Sequence, residues 1–279
     1  MATRKTTTAE LSVSKIPTPQ EIKHHLDQYV IGQEETKKIL SVAVYNHYKK
    51  LVRNKECDGT FGPALEKSNI LITGPTGSGK TYMVRTIARM LNVPFYIQDC
   101  TKITASGYVG SDVEDCIAGL LRACNYNIQK AEMGIVMLDE IDKIAKASAG
   151  PSITRDVSGE CVQQSLLKIV EGDRLGVQPE GGRKHPEQAL TYIDTSNILF
   201  IASGAFVGIE DIVRRRLDKG RAHVGFNAVK REAISKEALK DYISSEDIRD
   251  FGFIPEFVGR FPVITGISRL EKADRKSVV

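Results

Sequence analysis

The sequence lacks most features that would take it outside ordinary globular chemistry. It has no run of about 18 apolar residues, which excludes a helical membrane span. Its opening residues, Met1 to Thr8, are basic and threonine-rich but have no apolar centre, so they do not read as a secretory signal. The cysteines are few and odd in number (Cys57, Cys100, Cys116, Cys124 and Cys161), with no C-x-x-C pair, which argues against a disulfide framework. Free thiols in a reducing compartment are expected, hence a cytoplasmic location, with an organellar matrix left open. The histidines supply no H-E-x-x-H and no spaced ligand set, and the adjacent His24 and His25 point to different helix faces. A net charge of +4 is too weak a bias to indicate nucleic acid. What remains is a chain of 279 residues, 41% hydrophobic and 27% charged, long enough for one large α/β domain or two modest ones.

What is present centres on residues 70–81, Ile-Leu-Ile-Thr-Gly-Pro-Thr-Gly-Ser-Gly-Lys-Thr. Gly74, Gly79, Lys80 and Thr81 satisfy G-x-x-x-x-G-K-[ST], with Pro75, Thr76, Gly77 and Ser78 between them. The motif follows a short apolar run and precedes a breaker-free helical stretch, Tyr82 to Leu91, which is the strand–loop–helix context it requires. Glycines let backbone N–H groups close around phosphate oxygens, and a helix N-terminus adds favourable partial charge. In this arrangement Lys80 reaches the β- and γ-phosphates of ATP, and the Thr81 hydroxyl ligates Mg²⁺.

A second motif supports the first. Ile135 to Leu138 is an apolar strand that ends in Asp139-Glu140. The carboxyl end of a parallel strand is where ligands gather, so Asp139 can hold Mg²⁺ through its water shell, while Glu140 can activate the water that attacks the γ-phosphate. Together the motifs indicate a nucleoside triphosphatase. Asp142 and Lys143 follow within a turn; a contribution to the site and a solvated helix start are both open readings.

The rest of the chain alternates strands and helices. Strands are expected at Pro94–Ile97, Gly134–Leu138 and Ile198–Ala202, besides the first at Ile70–Ile72. Helices are expected at Glu21–Leu26, Glu34–Lys50, Asp112–Ala123, Gly159–Glu171, Gly208–Leu217 and near Lys236–Ile243. Residues 1–19 read as a flexible lead, Gly172 to Gln188 as a Gly- and charge-rich stretch unable to bury much, and Phe251 to Val263 as a compact Gly/Pro segment. The fold class that follows is α/β, a parallel sheet flanked by helices, of the P-loop NTPase kind.

Taken in order, a longer series of segments resembles the ClpX family of AAA+ protein unfoldases. The matching segments are Tyr29 to Gln33, Ala43 to Lys49, Gly74 to Thr81, Gly107 to Gly110 and Leu138 to Ile144. They continue at Ile153 to Glu160, Gly181 to Pro186 and Phe253 to Arg260. The resemblance implies an AAA+ large ATPase domain over residues 20–268 and the possible start of a small helical lid at 269–279. It further implies a hexameric ring that threads tagged or unfolded proteins into a peptidase of the ClpP type, with neither nucleic acid nor membrane as partner.

Carried over residue by residue, the resemblance gives Val30 and Ile31 the adenine contact. Tyr108 and Val109 fall on the pore loop that grips polypeptide, Arg155 on a second pore loop, and Arg183, Lys184 and His185 on a basic loop at the substrate entrance. Arg260 becomes an arginine finger acting on the neighbouring subunit's γ-phosphate. Three departures stand out. No cysteine-coordinated zinc domain opens the chain, and Val279 falls near where the lid is expected to begin, so no second sensor arginine can be assigned. Ile201 to Phe206 looks more like the related HslU unfoldase, which makes Ser203 the candidate γ-phosphate sensor. The peptidase-docking loop commonly carries Ile-Gly-Phe; here Val224, Gly225 and Phe226 stand in its place, one methylene short, worth about 1 kcal/mol if buried. The rival readings are another AAA+ remodeller, such as a DNA-associated loader, and a nucleotide-binding fragment with little motor activity.

Overall fold

The computed structural model describes residues 16–56, 67–103, 113–145, 157–177, 190–219 and 236–268. The first helix, α1 (Pro19–Tyr29), begins at a capping box. The Thr18 hydroxyl accepts the Glu21 N–H while the Glu21 carboxylate accepts the Thr18 N–H, and Pro19 supplies a first-turn residue that has no N–H to satisfy. Helix α2 (Glu34–Glu56) packs beside it, and the two are joined by a ring of charge. Lys23 and Lys37 each bridge Asp27 and Glu34 at 2.7–3.2 Å.

Strand β1 (Ile70–Thr73) then enters the phosphate loop, and α3 (Lys80–Met90) leaves it. The order continues with β2 (Phe95–Asp99), α4 (Asp115–Ala123), a short α5 (Ile128–Ala131), β3 (Ile135–Asp139) and α6 (Val157–Glu171). A hairpin, β4 (Arg174–Val177) and β5 (Thr191–Asp194), precedes β6 (Leu199–Gly204) and α7 (Ile209–Lys219). Short helices α8 (Lys236–Leu239), α9 (Ser245–Phe251) and α10 (Pro255–Gly259) lead into β7 (Val263–Gly266).

Five strands form one parallel sheet in the order β2-β3-β6-β1-β7, so the expected α/β fold class is the one found. The central strands are buried on both faces, as their continuous apolar runs require. Their side chains alternate between two cores. Ile70, Ile72, Ile135, Met137, Leu199 and Ile201 pack with α1, α2 and α3 on one face. Leu71, Val136, Leu138, Phe200 and Ala202 pack with α4, α6 and α10 on the other.

Three segments gain detail in the structure. The segment from Phe251 to Val263 was expected only as a compact Gly/Pro piece. It runs through α10 into β7, which pairs with β1 in the register Ile70↔Val263 to Thr73↔Gly266. Of the stretch from Gly172 to Gln188 the described residues end at Val177, which alone among them is buried; β4 pairs antiparallel with β5, whose Ile193 joins the same core. Near Lys236–Ile243 the helix is short, with Lys240–Tyr242 continuing as a single tight turn.

Candidate nucleotide site

The sheet order brings the carboxyl ends of β1, β3 and β6 together at one point. A cavity of about 430 Å³ opens there, lined by Thr76, Gly77, Gly79, Lys80, Thr81, Tyr82, Asp139, Glu140, Asp142, Lys143, Gly204 and Ala205. Residues far apart in sequence, expected from two separate motifs, thus share one wall.

The loop is shaped by its own backbone. Ser78 Oγ donates to the Pro75 carbonyl at 2.7 Å, and Gly74 N–H donates to the Gly204 carbonyl at 3.1 Å, tying the loop to the end of β6. Gly79 caps α3 in the left-handed region at φ 91°, a conformation that disfavours side chains. At both Gly77 and Gly79 the position of an added Cβ meets no atom within 4 Å, so open space stands against the backbone there. Lys80 is only 8% exposed, and its Nζ donates to the carbonyls of Gly74 and Pro75 at 2.7 and 2.9 Å. Burial lowers its pKa, opposed by the negative charges of Asp139, Asp142 and Glu140.

The carboxylates are held with equal definition. Asp139 Oδ1 accepts from Ser203 Oγ at 2.5 Å and from the Glu140 N–H at 3.1 Å. Glu140 itself is exposed and sits at φ 54°, where the chain turns sharply out of β3. Asp142 Oδ1 accepts the Ala205 N–H at 3.1 Å. That approach depends on Gly204, since a Cβ there would lie 2.5 Å from the same oxygen. Asp142 was legible in the sequence only as an open alternative, and Gly204 and Ala205 only as members of the segment Ile201 to Phe206, with no role of their own. Their one signal was the small pair following Ser203 at a strand end.

The donor set fits a nucleoside triphosphate with Mg²⁺. A backbone loop beside open space, a buried ammonium, the Thr81 hydroxyl and two strand-end carboxylates meet in one cavity.

Other expected residues lie elsewhere. Val30 is buried and Ile31 half-buried at the α1–α2 junction, outside the wall of this cavity. The neighbouring Gln33 exchanges two hydrogen bonds with the Ser268 backbone, at 2.7 and 3.0 Å. Arg260 ends α10 at the surface and pairs with Glu171. Tyr108, Val109, Arg155, Arg183, Lys184, His185, Val224, Gly225, Phe226 and the segment 269–279 lie outside the described residues.

The family model described as AAA domain (Cdc48 subfamily) matches residues 65–264. The chain belongs to that family. It is an AAA+ ATPase domain, and its similarity to curated relatives extends beyond the matched span. The ATP-dependent Clp protease ATP-binding subunit ClpX of Porphyromonas gingivalis is 49% identical over 273 residues, covering 98% of this chain and 65% of the relative. The protein of the same name from Borrelia duttonii is 50% identical over 264 residues (95% and 61%), and that from Treponema denticola 51% over 261 residues (93% and 62%). The chain therefore spans a little under two thirds of the length of these relatives.

Proposed function

We propose that the chain is the motor domain of an ATP-dependent protein unfoldase, acting in a hexameric ring and delivering polypeptide to a peptidase of the ClpP type. The observation that carries this reading is the meeting of Lys80, Thr81, Asp139 and Glu140 in one cavity, within a chain half identical to proteins named as the ATP-binding subunit of a Clp protease. Mg²⁺ bound with ATP supplies charge neutralisation at the β- and γ-phosphates. Lys80 exchanges its two loop carbonyls for phosphate oxygens, Thr81 and Asp139 hold the metal's coordination shell, and Glu140 takes the proton of the attacking water. Of the two residues that the resemblance gives to the adenine, Val30 is buried in the core, and half-buried Ile31 is the one that keeps apolar β-branched surface to offer.

Arg260 serves the adjoining subunit as the arginine finger. Tyr108 and Val109 press on the translocating polypeptide, assisted by Arg155. Arg183, Lys184 and His185 attract acidic chain ends, and Val224, Gly225 and Phe226 anchor the peptidase. The test is the ATPase rate of the chain across a range of protein concentrations, with and without an unfolded polypeptide. A rate per subunit that rises with concentration and is stimulated by the polypeptide supports the reading. Stimulation by DNA alone, with no response to unfolded protein, overturns it.

A further inference from the structure

Ser203 sits at the far end of β6, one step beyond the pair Leu138↔Ala202, and so opposite Asp139 at the end of β3. It is fully buried, and it is not on the wall of the nucleotide cavity, although Gly204 and Ala205 beside it are. Its hydroxyl donates to Asp139 Oδ1 at 2.5 Å. The same oxygen takes the Glu140 N–H, whereas Oδ2 has no hydrogen bond among the described residues. A carboxylate has room for about four donors, and here two of them converge on one oxygen. The second tether, from Ala205 N–H to Asp142 Oδ1, fixes the following turn to the same strand end.

We infer that Ser203 is a positioning residue for the metal-holding carboxylate: its hydroxyl fixes Asp139 through Oδ1 and reserves Oδ2 for the coordination shell of nucleotide-bound Mg²⁺. This replaces the direct γ-phosphate contact expected from sequence with an indirect role, and it rests on the reading of the cavity as a nucleotide site. The physical reason is the order of the layers. From β6, Ser203 meets the aspartate before it meets the cavity. A charge-assisted hydrogen bond of this kind also locks the side-chain rotamer, so the carboxylate does not reorient when metal arrives.

The test is calorimetric binding of a non-hydrolysable ATP analogue to the full chain, titrated in EDTA and over a range of Mg²⁺ concentrations. For Ser203→Ala the expected result is metal-free affinity within about twofold of wild type, with the Mg²⁺ concentration giving half the metal-dependent gain raised on the order of tenfold. Ser203→Thr, which keeps the hydroxyl, should recover the wild-type Mg²⁺ profile. Ser203→Cys keeps the size with a weaker donor and should fall between the two; if Ser203→Ala does not fold, Ser203→Cys is judged by the same criterion. An unchanged Mg²⁺ profile overturns the proposal. So does an equal loss of affinity with and without metal, accompanied by lost preference for the ATP analogue over ADP, because that is the signature of direct phosphate contact. Absence of nucleotide binding by the wild type would instead overturn the underlying site reading, a result visible before any variant is compared.

Discussion

Arg260 and Glu171 form a forked ion pair, with Nη2 and Nε of the arginine 2.7 and 3.0 Å from a single carboxylate oxygen. The pair joins the end of α10 to the end of α6. Beneath it Phe257 and Phe261 are buried with ring centroids 5.0 Å apart, and the Arg260 carbonyl accepts from Asn69 Nδ2 at 2.9 Å. The backbone of Arg260 is therefore fixed while its guanidinium, 51% exposed, stays at the surface.

Arg260→Ala should separate stability from catalysis. A surface ion pair contributes about 0–1 kcal/mol, so thermal unfolding should shift little. Where the guanidinium acts on a neighbouring subunit, turnover should fall on the order of 10³-fold or more. Melting temperature and ATPase rate measured on one preparation check both halves, and a large loss of stability with unchanged turnover contradicts the assignment.

Lys80→Ala should remove most ATP binding. Lys80 is the only side-chain cation in the phosphate loop, and its Nζ already lies against the loop carbonyls. Calorimetry decides the matter, and near-equal affinities for variant and wild type would count against the phosphate role.

Glu140→Gln should retain ATP and nearly abolish its hydrolysis, because the amide keeps the shape and loses the base. Single-turnover hydrolysis within a few-fold of wild type would exclude Glu140 as that base.

Tyr108→Ala should impair unfolding of a tagged folded substrate far more than ATP hydrolysis, since Tyr108 stands between glycines and outside both phosphate motifs. Parallel loss of the two activities, followed in one coupled assay, would sink the pore assignment.

His47 should make the fold sensitive to mild acid. Burial, reinforced by the nearby positive charge of Lys67, pushes its pKa from 6.5 down to about 3, while its Nε2 donates to the Asn197 carbonyl at 3.1 Å. Between those values the unfolded chain binds more protons than the folded one. The His47 contribution to stability is therefore complete above pH 6.5 and is lost as pH falls toward 3, with a slope of at most about 1.4 kcal/mol per unit. Denaturant unfolding at pH 7 and pH 5 should show the loss, and His47→Gln, whose amide can still donate, should flatten it.

The phosphate loop and the Asp-Glu strand end were readable because each is a local pattern with a local mechanism: Gly79 must turn, Lys80 must follow, and an apolar strand must finish in carboxylates. β1, β3 and β6 were readable for the same reason, as apolar runs buried on both faces. β7 was not. Val263-Ile-Thr-Gly is short, lies next to Pro262, and becomes a strand only through pairing with β1, about 190 residues earlier. Ser203 was singled out in the sequence, but its hydrogen bond to Asp139 was hidden similarly, since a serine carries no indication of which neighbouring strand its hydroxyl will meet. Val177 reaches the core through pairing of β4 with β5, which the Gly- and charge-rich composition around it does not announce.

The exit of β7 has a mechanical meaning. Ile267 N–H donates to the Thr73 carbonyl at 2.7 Å, and its own carbonyl oxygen stands 2.7 Å from where a Cβ on Gly74 would be. Gly74, at φ 151°, is thus wedged between the strand that precedes it and the chain that leaves β7, and Gln33 grips that chain one residue later through Ser268. There is no slack in this linkage. A side chain at position 74 would collide with the Ile267 carbonyl, so Gly74→Ala should force apart the first residue of the phosphate loop and the backbone that follows β7.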